Sequence, residues 1–297
     1  MTRATSSIPP RVSVIAPIHN EVEGLEQLVR ETVAALEPLS GGHEILLVDD
    51  GSEDGSGEVI EELAFRYTSV RPLRRARRGG QSAAILAGIL AARGEIVVTI
   101  DSDLQNDPAD IPHLLDQLAG HDLVGGIRVD RQDQWHRKVA SRFANALRRF
   151  VLGDSFVDVG CSLKAYRAAY LRDLPPFDGL HRFLPVIVEH RGARVKEVPV
   201  RHRARPYGTS KYSVGGRALR GIVDLLAVRW LRRRAIEPSL VEETRPRAWS
   251  PSPVATLGPD EPGEPTPRDE RTAEASSRHP AMERIAAALA GDQSAVT

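Results

Sequence analysis

The chain has 297 residues, 41% of them hydrophobic, enough for one sizeable core with an appendage. Its 40 basic and 40 acidic residues cancel, so nothing in the net charge calls for a nucleic-acid partner. One cysteine, Cys161, excludes an internal disulfide and fits a reducing compartment, with the thiol most simply a small buried apolar group.

Apolar runs alternate with helical patterns from the start. Val12 to Ala16 reads as a strand closed by Pro17, and Val22, Leu25, Leu28, Val29, Val33 and Leu36 form one helical stripe. "HEILLVDD" (43–50) is a second strand, followed by a helix carrying Val59, Ile60, Leu63, Ala64 and Tyr67. A weak strand near 70–74 contains Pro72, which makes it an edge or irregular piece. Residues 79–93 read as a buried helix stopped by Gly94. "EIVVTI" is the next strand and "DLVGGIRV" (122–129) another.

After residue 130 the pattern loosens. Residues 133–152 read as a long basic helix. "FVDVG", "SLKAYR" and "RVKEVPVRHR" are strand-like, around a short helical "FLPVIVEHRG". Residues 213–234 read as an Arg-rich amphipathic helix. Beyond Ala235 lie 9 of the 21 prolines, and eleven acids face six arginines, so 235–297 is expected to be a largely disordered tail, like residues 1–10. The globular domain is therefore 11–234, an α/β fold with a mostly parallel sheet sandwiched by helices.

In such a sheet ligands sit beyond the carboxyl ends of the strands. Three strands end in acids: "PIHNE" with Glu21, Asp49-Asp50, and Asp101-x-Asp103. Brought to one rim, these carboxylates repel unless a cation joins them. A hard divalent ion suits Asp101 and Asp103, with Gln105 adding an amide oxygen and substrate phosphates completing the shell. Asp107-Pro108 reads more simply as a helix cap with a first-turn proline.

"VSVIAPIHNE", "ILLVDDGSEDGS" and "RRGGQSAAILAGILAARGEIVVTIDSDLQNDP" resemble the inverting nucleotide-sugar glycosyltransferases of family two, which have the GT-A, Rossmann-like fold. "DSDLQNDP" and "RPYGTSKY" (205–212) are similar to the branch that makes dolichyl- or polyprenyl-phosphate sugars, mannose among them. The resemblance covers roughly residues 10 to 230. It implies that Pro17, Asn20 and Glu21 border the nucleoside and that Asp49 reads the base. It implies also that Asp50, Gly80 and Asp101 serve the nucleotide-sugar, and that Asp101, Asp103 and Gln105 hold Mg²⁺ or Mn²⁺ on its diphosphate. His19 departs from the Tyr usual in that branch. Arg77 and Arg78 precede a helix start near the donor.

The chemistry implied is attack on the sugar C1 as the nucleoside diphosphate leaves, the acceptor being a lipid phosphate. A phosphate monoester needs no general base, since its second pKa is about 6. It needs a cationic seat, for which Arg128, Arg131, Arg205, Ser210 and Lys211 are the candidates. Asp158 resembles the acid placed near the acceptor, where it would orient the acceptor or act as base for a hydroxyl, and Arg182 in "HRF" matches a family position. The remaining histidines, His181 included, show no metal spacing and are expected to pack or face solvent. Two other readings keep the residues: a soluble family-two enzyme acting on a small molecule or glycan, and a nucleotide-sugar-binding protein without catalysis.

No stretch reaches the roughly 20 apolar residues of a membrane span, and "MTRATSSIPP" has no apolar leader segment. The expected location is cytoplasmic, peripheral on the membrane face. Residues 213–234 would supply the contact, with Ile222, Val223, Leu225, Leu226, Val228, Trp230 and Leu231 as apolar area.

Overall fold

The computed structural model describes residues 9–129, 145–207 and 215–234, with side chains in the last segment from 221 onward. Seven strands form one sheet: β1 Val12–Ile18, β2 His43–Asp49, β3 Val70–Arg74, β4 Ile96–Thr99, β5 Leu123–Arg128, β6 Lys164–Arg167 and β7 Val195–Val200. Their order is β3-β2-β1-β4-β6-β5-β7, and only β6 runs against its neighbours. β3, with its proline, is an edge strand as expected.

The helices are α1 Leu25–Leu36, α2 Ser56–Arg66, α3 Gln81–Ala91, α4 Ile111–Gln117, α5 described over 145–152, α6 Leu180–His190 and α7 Gly215–Arg234. Because side chains alternate across a strand, each central strand feeds two cores. Val14, Ala16 and Ile18 of β1 pack with Leu28 of α1, Ile60 of α2 and Leu114 of α4. Ile15 of the same strand joins Ile85 of α3, Phe183 of α6 and Leu225 of α7 on the opposite face. Continuous apolar strands are what burial on both faces requires.

Several expectations need correction. "FVDVG" is loop, not strand. Its amides are satisfied by side chains: Val157 and Asp158 donate their N–H groups to Glu197, at 2.6 and 3.0 Å, so no strand partner is needed. Helix α3 buries one face only, and Leu90 is 78% exposed. Gly94 does not cap that helix with a left-handed residue. It lies against β1, where an added Cβ would meet the Ser13 backbone N at 2.8 Å. Leu225 and Val228 of α7 are core residues and contribute nothing to an outer surface. The segments 133–144 and 235–297, for which a helix and a disordered tail were expected, lie outside the described residues, as do residues 1–8.

Candidate active site

β1 and β2 run in register to their ends, Ile18 opposite Asp49, and β4 lies on the other flank of β1. The loops leaving these three strands enclose a cavity of about 140 Å³ lined by Pro17, His19, Glu21, Arg78, Gln81 and Asp103, with Asp50, Gly80, Asp101 and Arg205 also on its wall.

The first loop is braced rather than open. Asn20 takes a positive φ of 54°, a region Asn tolerates better than most residues. Its N–H donates to Ser52 Oγ at 3.0 Å and its Oδ1 accepts from Glu53 N at 2.8 Å. Glu21 donates its N–H to Ser56 Oγ at 3.1 Å. Asn20 thus fastens the first loop to the second and lies off the cavity lining, while Pro17 and Glu21 are on it.

In the second loop the two adjacent aspartates divide their work. Asp50 is buried, pairs with Arg75, and accepts from the amides of Gly79 at 2.9 Å and Gly80 at 2.6 Å. It therefore sets the path of the chain into α3. Gly80 sits at φ 87°, ψ 167°, a conformation essentially closed to side chains. Asp49 lies beneath this loop and off the cavity lining. Its Oδ1 accepts from Ser52 N at 2.9 Å, and its buried Oδ2 has no hydrogen bond among the described residues, with Arg74 Nε 3.9 Å away.

Asp101 and Asp103 follow β4. Asp101 sits deep in the molecule with its edge open to the cavity, and Gln81 Nε2 donates to its Oδ1 at 2.8 Å. Burial, then the neighbouring Asp103, pushes its pKa up to about 6. Burial also raises Asp103. Two neighbouring carboxylates whose burial disfavours charge suit a hard divalent cation. Among the described residues no third acid or histidine joins them. Gln105 lies off the cavity lining; its backbone N–H donates to Asp103 Oδ1 at 3.2 Å and its carbonyl accepts from Arg203 N at 2.8 Å.

The segment after β7 crosses this rim as a strap. Arg201 bonds Asp110 and Asp107, Arg203 bonds Asp107 at 2.7 Å and Glu31 at 2.6 Å, and Arg205 reaches Glu21 Oε1 at 2.5 Å. Asp107 caps the turn at Pro108, as its sequence position implies, accepting from Ala109 N. It is in addition the anchor of the strap. Arg205 is thereby brought to the wall of the first cavity.

Arg128, at the end of β5, forms a forked pair with Asp158, each bond 2.8 Å. Burial pushes Asp158 up, but hydrogen bonds from Arg128 outweigh it and hold the carboxyl below its ordinary range. Arg131, Ser210 and Lys211 lie outside the described residues.

A second cavity, of about 350 Å³, adjoins the first and shares Gln81 and Asp101 with it. Its wall includes Ser162, Lys164, Tyr166, His181 and Arg182. The sequence reading missed Lys164, which is 3% exposed on β6 and donates to Val159 O at 3.1 Å. Burial lowers its pKa, while Asp158 and Asp101 favour its charged form. A lysine inside an otherwise apolar strand was the available signal. It missed His181 as well, whose Nδ1 lies 2.6 Å from the Oγ of buried Ser82.

Residues 13–174 match the family described as "Glycosyl transferase family 2". The chain is 41% identical over 205 residues to an undecaprenyl-phosphate 4-deoxy-4-formamido-L-arabinose transferase of Edwardsiella ictaluri, covering 68% of this chain and 63% of that one. It is 42% identical over 206 residues to the enzyme of the same description from Sodalis glossinidius, covering 69% and 63%. The chain thus spans less than two thirds of these relatives. Among solved structures, Mycobacterium tuberculosis glucosyl-3-phosphoglycerate synthase with Mn²⁺, UDP-glucose and phosphoglyceric acid superposes with a TM-score of 0.56 at 24% identity, covering 77% of this chain and 81% of that one. The same protein with Mg²⁺ and UDP gives 0.52 at 23% identity, covering 74% and 79%. These superpositions bear out the GT-A fold. With that fold, the acids at three strand ends and the match over residues 13–174, the chain belongs to glycosyl transferase family 2.

Proposed function

We propose that the chain transfers a glycosyl group from a nucleoside diphosphate sugar to a polyprenyl phosphate. The observation that carries this reading is the pair Asp101 and Asp103, two neighbouring carboxylates on the wall of the cavity beyond β1, β2 and β4. Asp101 and Asp103 would hold Mg²⁺ or Mn²⁺, the donor diphosphate and water completing the shell. The metal, when bound, offsets charge developing on the leaving diphosphate. No base contact is assigned to Asp49, which lies buried off the cavity wall, so the choice between uracil and guanine is left to the nucleotide panel. Arg78 and Arg205 on the cavity wall supply cations for the diphosphate.

In the transfer the bond from C1 to the diphosphate oxygen breaks, and a bond from C1 to an acceptor phosphate oxygen forms with inversion. A dianionic phosphate attacks without giving up a proton. Asp158, already held by Arg128, is then a positioning residue rather than a base. The named relatives act on undecaprenyl phosphate, which supports a lipid acceptor here.

Among the described residues no helix is long and apolar enough to cross a membrane. Access to a lipid acceptor is assigned instead to α7, whose Ile222, Val223, Leu226 and Trp230 are exposed beside Arg232, Arg233 and Arg234.

The test is incubation with Mn²⁺, a panel of UDP- and GDP-sugars and undecaprenyl phosphate, with the lipid product read by mass spectrometry. Lipid-linked sugar is expected, falling at least about 100-fold in Asp103→Asn. Product formed only on a soluble acceptor, or an Asp103→Asn variant of full activity, overturns the reading.

A further inference from the structure

We propose that His181, on the wall of the second cavity, reads a substituent of the transferred glycosyl ring as a hydrogen-bond donor. This rests on the donor assignment above and deepens it, because it names what selects the sugar.

The geometry of Ser82 comes first. Its Oγ accepts from Gly179 N at 2.9 Å and from His181 N at 3.4 Å. A hydroxyl has two lone pairs and one proton, so its remaining capacity is to donate. The atom left to receive that proton is His181 Nδ1, at 2.6 Å. Nδ1 is therefore the acceptor, and the ring proton resides on Nε2. Nε2 has no hydrogen-bond partner among the described residues, and the ring lies on the cavity wall. The fold has thus fixed a neutral imidazole that presents N–H to the chamber. Burial, reinforced by Arg182, keeps the imidazole neutral.

The position of the chamber selects its occupant. It shares Asp101 and Gln81 with the nucleotide cavity, so a diphosphate held at Asp101 places the sugar at the junction. From there the chamber is walled by the core side chains Ile85, Ile100 and Leu184. Its volume, about 350 Å³, is at the small end for a ligand pocket, the size for a monosaccharide rather than a polyprenyl chain. Lys164 and Arg182 share the wall with His181, while the acid on it, Asp101, stands at the mouth. Three donors without a facing carboxylate suit a ring substituent that accepts hydrogen bonds, such as a hydroxyl, an amide carbonyl or a carboxylate, and disfavour an ammonium.

Calorimetry with Mg²⁺ and UDP, UDP-glucose, UDP-glucuronic acid, GDP and GDP-mannose tests this on the full chain. For each base, the ratio of the nucleotide Kd to the nucleotide-sugar Kd isolates the sugar's contribution. His181→Ala is expected to reduce that ratio about tenfold for the best probe, with nucleotide affinity unchanged, and His181→Gln, which keeps a donor, to restore part of it. Nitrogen-detected NMR supplies a readout independent of affinity. The wild-type imidazole should carry its proton on Nε2, lose that single tautomer in Ser82→Ala, and shift on adding Mg²⁺ with the best nucleotide-sugar but not with its bare nucleotide. A proton found on Nδ1, or ratios identical in wild type and His181→Ala, overturns the inference while leaving the donor assignment standing. Failure of every nucleotide to bind overturns both.

Discussion

Arg128 donates Nε–H to Asp158 Oδ2 and Nη2–H to Asp158 Oδ1, both at 2.8 Å, and both side chains are largely buried. A carboxylate gripped this way has its basic lone pairs spent on the fork and its pKa held down. The pair also sits near Asp101, where Arg128 and Lys164 both favour the ionised carboxylate. This part of the site is therefore organised by an internal charge network rather than by a free base.

Asp158→Asn should reveal that role. Removing one partner leaves a buried guanidinium poorly compensated, a loss of about 3–5 kcal/mol in stability. Transfer should fall, yet the surviving activity should keep the wild-type shape of its pH profile. A general base would behave otherwise, since its removal erases the limb it controls. Denaturant titration and a pH–rate series from 5 to 9 separate the two roles.

Asp101 makes metal binding pH-dependent. With a pKa near 6 in the metal-free protein, it is mostly ionised at pH 7 and must release a proton to a metal below pH 6. Apparent Mn²⁺ affinity should hold steady above pH 7 and be roughly tenfold weaker at pH 5. Stability runs the other way. A folded pKa raised above the unfolded 3.8 gives a contribution that is full below pH 3.8 and lost as pH rises through 6. Metal-free Asp101→Asn should accordingly be the more stable protein at pH 7.5, by on the order of 2 kcal/mol. Melting curves with chelator at pH 5 and 7.5 check the sign.

The strap over the first cavity hangs on Asp107. That carboxylate is 3% exposed, caps Ala109 and takes both Arg201 and Arg203. Asp107→Ala should cost about 2 kcal/mol, from the lost cap and the buried pair with Arg203. It should also weaken Mn²⁺–nucleotide binding, because Arg205 is carried on the same segment. Arg205→Ala should weaken that binding with little effect on stability, since its partner Glu21 remains open to the cavity. Calorimetry beside denaturant titration distinguishes the anchor from the group it positions.

The acidic rim was legible in the sequence because its chemistry is local. Aspartates at the ends of strongly apolar runs can only be strand ends, and a parallel sheet gathers those ends. The second cavity was not legible. Ser82 and His181 are ninety-nine residues apart, and Lys164 enters through the one strand that runs antiparallel. No periodicity encodes such a meeting. "FVDVG" misled for a related reason: its alternation matched a strand, but Glu197 supplied the hydrogen bonds a neighbouring strand would have given. The resemblance implied Asn20 as a nucleoside contact; its left-handed backbone, invisible in the sequence, also lets it brace the first loop against the second.

Helix α7 has two apolar sides, and only one of them is spoken for. At about 100° per residue, Leu225 and Val228 point one way, into the core, while Val223, Leu226 and Trp230 fall on another side, with Ile222 at its margin. Arg229 and Arg232 tie the helix to the end of α5 through the carbonyls of Val151 and Leu152, and Phe150 beside them is 87% exposed. Arg234 lies 5.9 Å from the Trp230 ring. An apolar face with a basic end suits an anionic bilayer. Changing Val223, Leu226 and Trp230 together to Ser leaves the buried face intact, so the fold should persist with an unaltered melting curve. Flotation with vesicles containing anionic lipid should then fall severalfold, and wild-type flotation should weaken as salt rises. Equal flotation of the two proteins would show that this face serves something other than a membrane.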